Sequence, residues 1–153
     1  MRRRHLTRLD RIFTDSEAYF LTFCTRDRLQ VLAGHAAASI IHEAFAETEN
    51  RWGWLVGRYV IMPDHVHVFV ARASDATKPL SVFMRDWKKW TSRRMREAGL
   101  PARIWQREFF DHLLRSDESY AQKWEYVRQN PVRAGLASRP EDWPYQGEIN
   151  AGL

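Results

Sequence analysis

Two histidines lie two positions apart within residues 59–71, Y-V-I-M-P-D-H-V-H-V-F-V-A, in an otherwise apolar run. Valine, isoleucine and phenylalanine favour a β-strand, and the Met-Pro-Asp sequence before the first histidine predicts a turn. Because alternate residues of a strand point to one face, His65, His67 and Phe69 are predicted to share a face. Two imidazoles in this arrangement can bind one metal ion, although such pairs also occur in strands by chance. The pair therefore predicts half of a metal site, and the other half must come from elsewhere in the chain.

Charge and composition restrict the class of protein. The chain has 153 residues, 44% of them hydrophobic, which suits one globular domain over 1–153. Its 24 lysines and arginines exceed its 19 acidic residues by 5, and this excess favours a polyanionic partner. The single cysteine, Cys24, excludes an internal disulfide and a multi-cysteine zinc site. No apolar run approaches the roughly 18 residues of a membrane span, so we expect no membrane partner and a cytoplasmic, nucleoid-associated protein.

The order of the predicted elements indicates the fold. Strand and helix patterns follow as β-α-β-β-α-β-α, which most simply gives an α+β, ferredoxin-like fold, an antiparallel four-stranded sheet with packed helices. The histidine strand and the strand before it are expected to form a hairpin. A basic N-terminal arm (1–17) and an irregular C-terminal tail (132–153) flank the predicted elements. These elements are strand 18–25, helix 36–50, strand 54–62, the histidine strand, helix 80–98, strand 103–115 and a helix from Ser116 to about Asn130.

The helix predicted over 80–98 is rich in cations. Phe83, Trp87 and Trp90 lie on one apolar stripe, and lysines and arginines crowd the remaining surface. This mixture suits nucleic acid, because bases stack on aromatic rings while cations contact phosphates. The alternative is a solvated basic face, and the same two alternatives apply to the arm over 1–17. The predicted DNA-binding residues are Arg85, Lys88, Lys89, Trp90 and Arg93.

The last predicted helix supplies candidate partners for the histidines. Tyr126 and Asn130 are four residues apart and therefore share a helical face. A phenol and an amide on one face suit a functional site, but a half-buried tyrosine at the edge of the core fits the pattern equally well. Asp111 and His112, on strand 103–115, are further site candidates.

Three motifs carry a family resemblance. In chain order they are M-P-D-H-V-H-V-F-V, W-Q-R-E-F-F-D-H-L-L-R-S and Y-V-R-Q-N-P-V-R-A-G-L. Together they resemble the single-tyrosine HUH transposases and, more narrowly, the REP-associated tyrosine transposase branch (RAYT), over residues 18–145. The resemblance implies that His65 and His67 are metal-binding histidines. It also implies that Tyr126 is the nucleophile and that Asn130 is the third metal ligand.

The resemblance further implies a mechanism. A tyrosine phenol has a reference pKa of about 10, so it needs a metal, a base or cationic surroundings to act as a nucleophile. A divalent ion, Mn²⁺ or Mg²⁺, bound by two imidazoles and an amide oxygen would serve as the Lewis acid. The expected reaction cleaves and rejoins single-stranded or hairpin DNA at repetitive extragenic palindromes through a 5′-phosphotyrosine, in a monomer or homodimer. Two alternatives stay open: a domesticated nucleic-acid-binding module without turnover, and a metal hydrolase that uses water and in which Tyr126 is structural.

Overall fold

A computed structural model describes residues 18–73, 77–114, 117–151 and 153. The arm predicted over 1–17 and the helix start predicted at Ser116 lie outside the described residues. Two short 3₁₀ turns, Arg26–Arg28 and Pro140–Asp142, connect regular elements. The regular elements are β1 (Ala18–Cys24), α1 (His35–Trp52), β2 (Trp54–Ile61), β3 (His65–Arg72), α2 (Leu80–Glu97), β4 (Phe110–Leu114), α3 (Asp117–Arg128), α4 (Asn130–Arg133) and β5 (Gln146–Glu148).

An antiparallel sheet in the order β4-β1-β3-β2-β5 forms the centre of the fold. This confirms the predicted α+β class and the predicted β2–β3 hairpin. The sheet has five strands, so the expectation of four was wrong. The fifth strand is only three residues long and has no β-branched residue, which is why its sequence carries no strand signal. It forms because Arg58, Tyr59 and Val60 of β2 offer an edge for pairing.

The two faces of the sheet bury two separate cores. Val66, Val68 and Val70 face α1 and α2, in a core that also contains aromatic residues of both helices. Phe69 faces the other way, into a smaller core closed by α3 and the C-terminal segment. This division follows from the alternation of side chains along β3, as predicted, and it assigns α3 to the histidine face.

Two predicted segments differ from the structure. Of the strand predicted over 103–115, the described residues form a strand only at Phe110–Leu114, because residues 103–109 cross the end of β1 with a single bridge, Thr25 to Trp105. The tail over 132–153 was predicted to be irregular but contributes a 3₁₀ turn and β5.

Helix ends follow the local signals more closely. The chain leaves α2 through Gly99, whose φ of +84° favours glycine. The chain leaves α3 at Arg128, and Pro131 lies in the first turn of α4, where its missing N–H is tolerated.

Candidate active site

Hydrogen bonds fix the orientation of the two imidazoles. Nδ1 of His65 lies 2.7 Å from Oδ1 of Asp64, and Nδ1 of His67 lies 2.8 Å from Oγ1 of Thr22. The ring centroids of the two histidines are 4.8 Å apart, with the ring planes nearly perpendicular. Because both Nδ1 atoms are engaged, Nε2 is the nitrogen left on each ring for a metal ion. A second partner on the other nitrogen is the usual arrangement for metal-binding histidines.

The surroundings of His67 favour the neutral ring that a metal ion requires. Its imidazole stacks on Phe20, with centroids 5.3 Å apart and planes inclined by 17°. Burial is the main reason that the pKa of His67 falls from 6.5 to about 3. Charge on His65 contributes next, followed by Lys123 and Arg133. Lys123 and Arg133 belong to the α3–α4 region. This region therefore lies close enough to His67 for its positive charges to lower the pKa of the imidazole.

Asp64 is held as a carboxylate. Burial alone would raise its pKa, but hydrogen bonding and charge from His65 and Arg28 outweigh burial and lower it. The Arg28 guanidinium lies 2.9 Å from Oδ2 of Asp64, opposite the oxygen that faces His65. The Arg28–Asp64–His65 chain therefore ties the loop after β1 to the start of β3.

Helix α3 packs directly on the histidine face. Tyr120 and Trp124 lie against Phe69, with centroid distances of 4.2 Å and 6.2 Å. The ammonium of Lys123 lies 5.2 Å from the centroid of Phe20, the ring that stacks on His67. Tyr126, two residues after Trp124 on the same helix, is 64% exposed. The helix that carries the predicted nucleophile is therefore anchored beside the histidine pair.

Arg133 connects the two predicted residues of the α3–α4 region. Its guanidinium lies 4.0 Å from the ring centroid of Tyr126 and donates to the Tyr126 carbonyl at 2.6 Å. It also donates to Oδ1 of Asn130. That oxygen is the one predicted to bind metal, so a metal ion there would compete with Arg133. The sequence reasoning missed Arg133, although its position three residues after Asn130 placed it on the same helical side.

The donor set can be tested against the predicted metal. In the described part of the chain, no three histidine, cysteine, aspartate or glutamate side chains are grouped to hold a metal ion. Two imidazoles must therefore be completed by another kind of donor, and the amide oxygen of Asn130 is a suitable one. Two nitrogens with an oxygen and open positions suit Mn²⁺ or a similar hard divalent ion. The residues present fit the predicted metal.

Four of the five predicted DNA-binding residues of α2 are at least partly accessible. Arg85, Lys89 and Arg93 are exposed at the helix surface, which leaves them accessible to phosphates. Trp90 is half-buried, and its ring is flanked by two guanidiniums at 5.1 Å and 4.9 Å.

Lys88 does not fit the predicted DNA-binding role. It is only 9% exposed, and its ammonium donates to the carbonyls of Gln106 and Glu108 at 2.8 Å each, with a longer contact to Arg107. It therefore fastens the irregular segment 103–109 to α2. Beside it lies a cleft of about 580 Å³ between α2 and this segment. The basic residues at the surface of the cleft are Arg26, Arg85, Lys89, Arg103 and Arg107.

The other candidates on β4 lie at the edge of the sheet. His112 pairs with Phe20 and Asp111 with Leu21, and both side chains are exposed. None of the helices in the described residues is both long and apolar enough to cross a membrane.

Comparison with known proteins identifies the family. The profile of the family described as "Transposase IS200 like" matches residues 14–130, and the chain belongs to this family of transposases. Its relatives include the REP-associated tyrosine transposase of Escherichia coli, which is 24% identical over 136 residues covering 88% of this chain and 78% of the relative. A Haemophilus influenzae protein named provisionally as another REP-associated tyrosine transposase is 28% identical over 152 residues, covering 88% and 81% of the two chains. The resemblance drawn from the three motifs is thereby confirmed.

Solved structures confirm the fold. The structure of a REP-associated tyrosine transposase bound to a REP hairpin matches with a TM-score of 0.70 at 24% identity, covering 85% of this chain and 75% of that one. A transposase structure from Deinococcus radiodurans matches with a TM-score of 0.56 at 21% identity, covering 74% and 90%.

Proposed function

We propose that this transposase is a metal-dependent DNA strand transferase that uses Tyr126 to cleave and rejoin single-stranded or hairpin DNA. The observation that carries the proposal is the orientation of His65 and His67. Each ring has its Nδ1 engaged by a neighbour, which leaves Nε2 for a metal, on the sheet face where α3 packs. Tyr126 and Asn130, which share Arg133 as a partner, complete the set of residues that the reaction needs.

The chemistry assigns a step to each group. A divalent metal held by His65, His67 and Asn130 would supply a Lewis acid for the scissile phosphate. Tyr126 attacks phosphorus through Oη and loses its proton, while the bond to the 3′-oxygen breaks and that oxygen takes up a proton. The products are a 5′-phosphotyrosine and a free 3′-OH, and attack by a 3′-OH in the reverse direction rejoins the strand. Lys123 and Arg133 add positive charge beside the phosphate, where negative charge develops.

Repetitive extragenic palindromes are the proposed substrate. The REP-associated relative was solved with a REP hairpin, and the present chain carries an excess of 5 basic residues. Its α2 packs on the valine face, whereas the histidines lie on the other face. If the exposed cations of α2 or of the adjacent cleft bind the hairpin, they contact a different part of it from the part at the candidate active site, because the two surfaces lie on opposite faces of the sheet.

A single chain contains every residue that the proposal requires. His65 and His67 lie on β3, on the sheet face against which α3 packs, and Tyr126 and Asn130 belong to α3 and α4 of the same chain. We therefore propose that a monomer is sufficient for strand cleavage. Light scattering of the protein with and without hairpin DNA would detect a homodimer. A cleavage assay at a concentration where only monomer is present tests whether one chain is sufficient for cleavage.

The deciding experiment detects the covalent intermediate. The protein is incubated with a panel of hairpin oligonucleotides and Mn²⁺, and a protein–DNA adduct is sought on a denaturing gel and mapped to its residue by mass spectrometry. We expect an adduct at Tyr126, its loss in Tyr126→Phe and in excess chelator, and its retention in the control Tyr145→Phe. DNA binding is expected to survive in Tyr126→Phe.

Two other results would contradict the proposal in different ways. Free 5′-phosphate ends without an adduct would indicate a hydrolase that uses water. Tight hairpin binding with no cleavage under any metal condition would indicate a DNA-binding module without turnover.

A further inference from the structure

Phe110 is the most exposed large hydrophobic residue in the described part of the chain. Its side chain is 72% exposed at the first position of β4. Single exposed hydrophobic residues are common on protein surfaces and need no explanation by themselves. Phe110 differs from such residues because of its position relative to the candidate active site.

The strand register places Phe110 in one row with His67. Phe110 is directly opposite Thr22 in the β1–β4 pair, and Thr22 is directly opposite His67 in the β1–β3 pair. Residues directly opposite in antiparallel strands have side chains on the same face. Leu114 supports this assignment, since it is four positions after Phe110 and is buried in the core of the histidine face. With strands about 4.8 Å apart, the backbone of Phe110 is about 10 Å from that of His67.

The surroundings of this row suit a nucleic acid strand. Thr22 is hydrogen-bonded to His67. The neighbouring Phe20 ring stacks on His67, and the Lys123 ammonium lies over the same Phe20 ring. Phe20 is buried, so it cannot offer its ring to a ligand. Phe110 offers an accessible ring, with cations and the candidate metal site nearby to contact phosphates. An aromatic ring beside cations is what unpaired nucleic acid bases bind.

We propose that Phe110 is a stacking platform for an unpaired base of the DNA strand, next to the scissile phosphate. The inference rests on the proposed function and adds to it a residue that positions the substrate. A base stacked on Phe110 fixes the strand so that the adjacent phosphate lies at the histidine pair. Since every base has a π-face, this contact contributes to affinity and position more than to sequence recognition.

The test measures stacking without requiring cleavage. All variants are made in a Tyr126→Phe background, and the probe is a hairpin with a single-stranded extension that carries 2-aminopurine beside the cleavage position. Fluorescence quenching reports stacking, and the titration gives Kd. Phe110→Ala and Phe110→Leu remove the π-face, whereas Phe110→Trp retains it. Leu113→Ala is the matched control, because Leu113 lies on the same strand, is 37% exposed and pairs with Tyr19 on the other face.

We expect Phe110→Ala and Phe110→Leu to raise Kd at least tenfold for the extended hairpin and to abolish the quenching. Phe110→Trp and Leu113→Ala should behave like the parent, and a hairpin without the extension should bind all variants equally. Unchanged Kd and quenching in Phe110→Ala would overturn the proposal. So would full affinity in Phe110→Leu, which would indicate a simple apolar contact. The same substitutions at Phe110 are also made in the protein that retains Tyr126, and formation of the covalent adduct is measured for each. Loss of strand transfer is thereby distinguished from loss of stacking.

Discussion

Thr22 on β1 and His67 on β3 are directly opposite in the sheet, and Oγ1 of Thr22 lies 2.8 Å from Nδ1 of His67. The hydroxyl oxygen can accept a hydrogen bond from the Nδ1–H group, and this contact favours the tautomer in which Nε2 carries no proton. The sheet register therefore determines which nitrogen of His67 is left for the proposed metal. Thr22 is not itself one of the proposed metal ligands, but it would position His67, which is one of them.

Replacing Thr22 by valine should weaken metal binding without unfolding the protein. Valine has nearly the same shape as threonine and favours strands, whereas the hydroxyl that orients His67 is lost. We expect Mn²⁺ affinity to fall about 10- to 100-fold, the usual effect of removing such a supporting hydrogen bond. Titration calorimetry measures the affinity. Thr22→Ser retains the hydroxyl and should bind Mn²⁺ like the wild type; equal affinity in Thr22→Val would show that the contact does not orient His67.

Arg133 should compete with the metal for Asn130. Its guanidinium donates to Oδ1 of Asn130 and places a positive charge beside the site. Arg133→Ala frees that oxygen, and removal of one hydrogen bond worth about 1 kcal/mol should raise Mn²⁺ affinity about fivefold. Arg139→Ala removes an equal charge from a residue paired with Asp142 in the tail and should leave the affinity unchanged. A fall in affinity for Arg133→Ala would mean that Arg133 holds Asn130 in its metal-binding position.

Lys88 should stabilise the fold and contribute little to DNA binding. Lys88→Met leaves the carbonyls of Gln106 and Glu108 without their donor, and we expect the free energy of unfolding to fall by about 3 kcal/mol. Urea titration measures this change. Lys89→Met, at the exposed neighbouring position, should keep wild-type stability and weaken hairpin binding instead. Similar stability of the two variants would refute the structural role of Lys88.

The same lysine gives the stability a pH dependence. Burial, opposed by the charges of Glu108 and Cys24, lowers the pKa of Lys88 from 10.5 to about 8. Between these values the unfolded chain binds more protons than the folded one, so stability should rise with pH. Relative to Lys88→Met, the wild type should gain up to about 1.4 kcal/mol per pH unit from pH 8 to 10.5. A constant difference between the two proteins across this range would contradict the lowered pKa.

Gly57 should be required for the packing of the C-terminal segment. A Cβ added at Gly57 would lie 2.5 Å from the backbone oxygen of Leu153, a residue buried in the core of the histidine face. Gly57→Ala must displace that backbone, and we expect a loss of about 1–3 kcal/mol in unfolding free energy. Gly34→Ala is the control, because nothing lies within 4 Å of its added Cβ. Thermal unfolding of both variants tests the difference, and equal melting temperatures would show that the C-terminal segment moves aside without cost.

Local periodicity made the main elements predictable. The two-residue repeat of β3 separated His65, His67 and Phe69 from the valines, and the structure buries Phe69 and the valines in cores on opposite faces of the sheet. Likewise, Tyr120, Trp124 and Val127 follow helical spacing in the sequence, and this side of α3 packs on the sheet. These patterns are readable because a strand or helix fixes the direction of each side chain over a few residues.

Tertiary structure decided the contacts between residues that are distant in the sequence. Thr22 is 45 positions from His67, and Lys88 is about 20 from the carbonyls that it binds, so no short-range pattern marks either contact. The strand Gln146–Glu148 exists because β2 leaves an edge for it, and Phe110 joins the row of His67 only through two strand registers. The sequence by itself determined which side chains share a face within each element. Only the packing of distant elements decided which of those faces meet, because burial and pairing across the sheet depend on the whole fold.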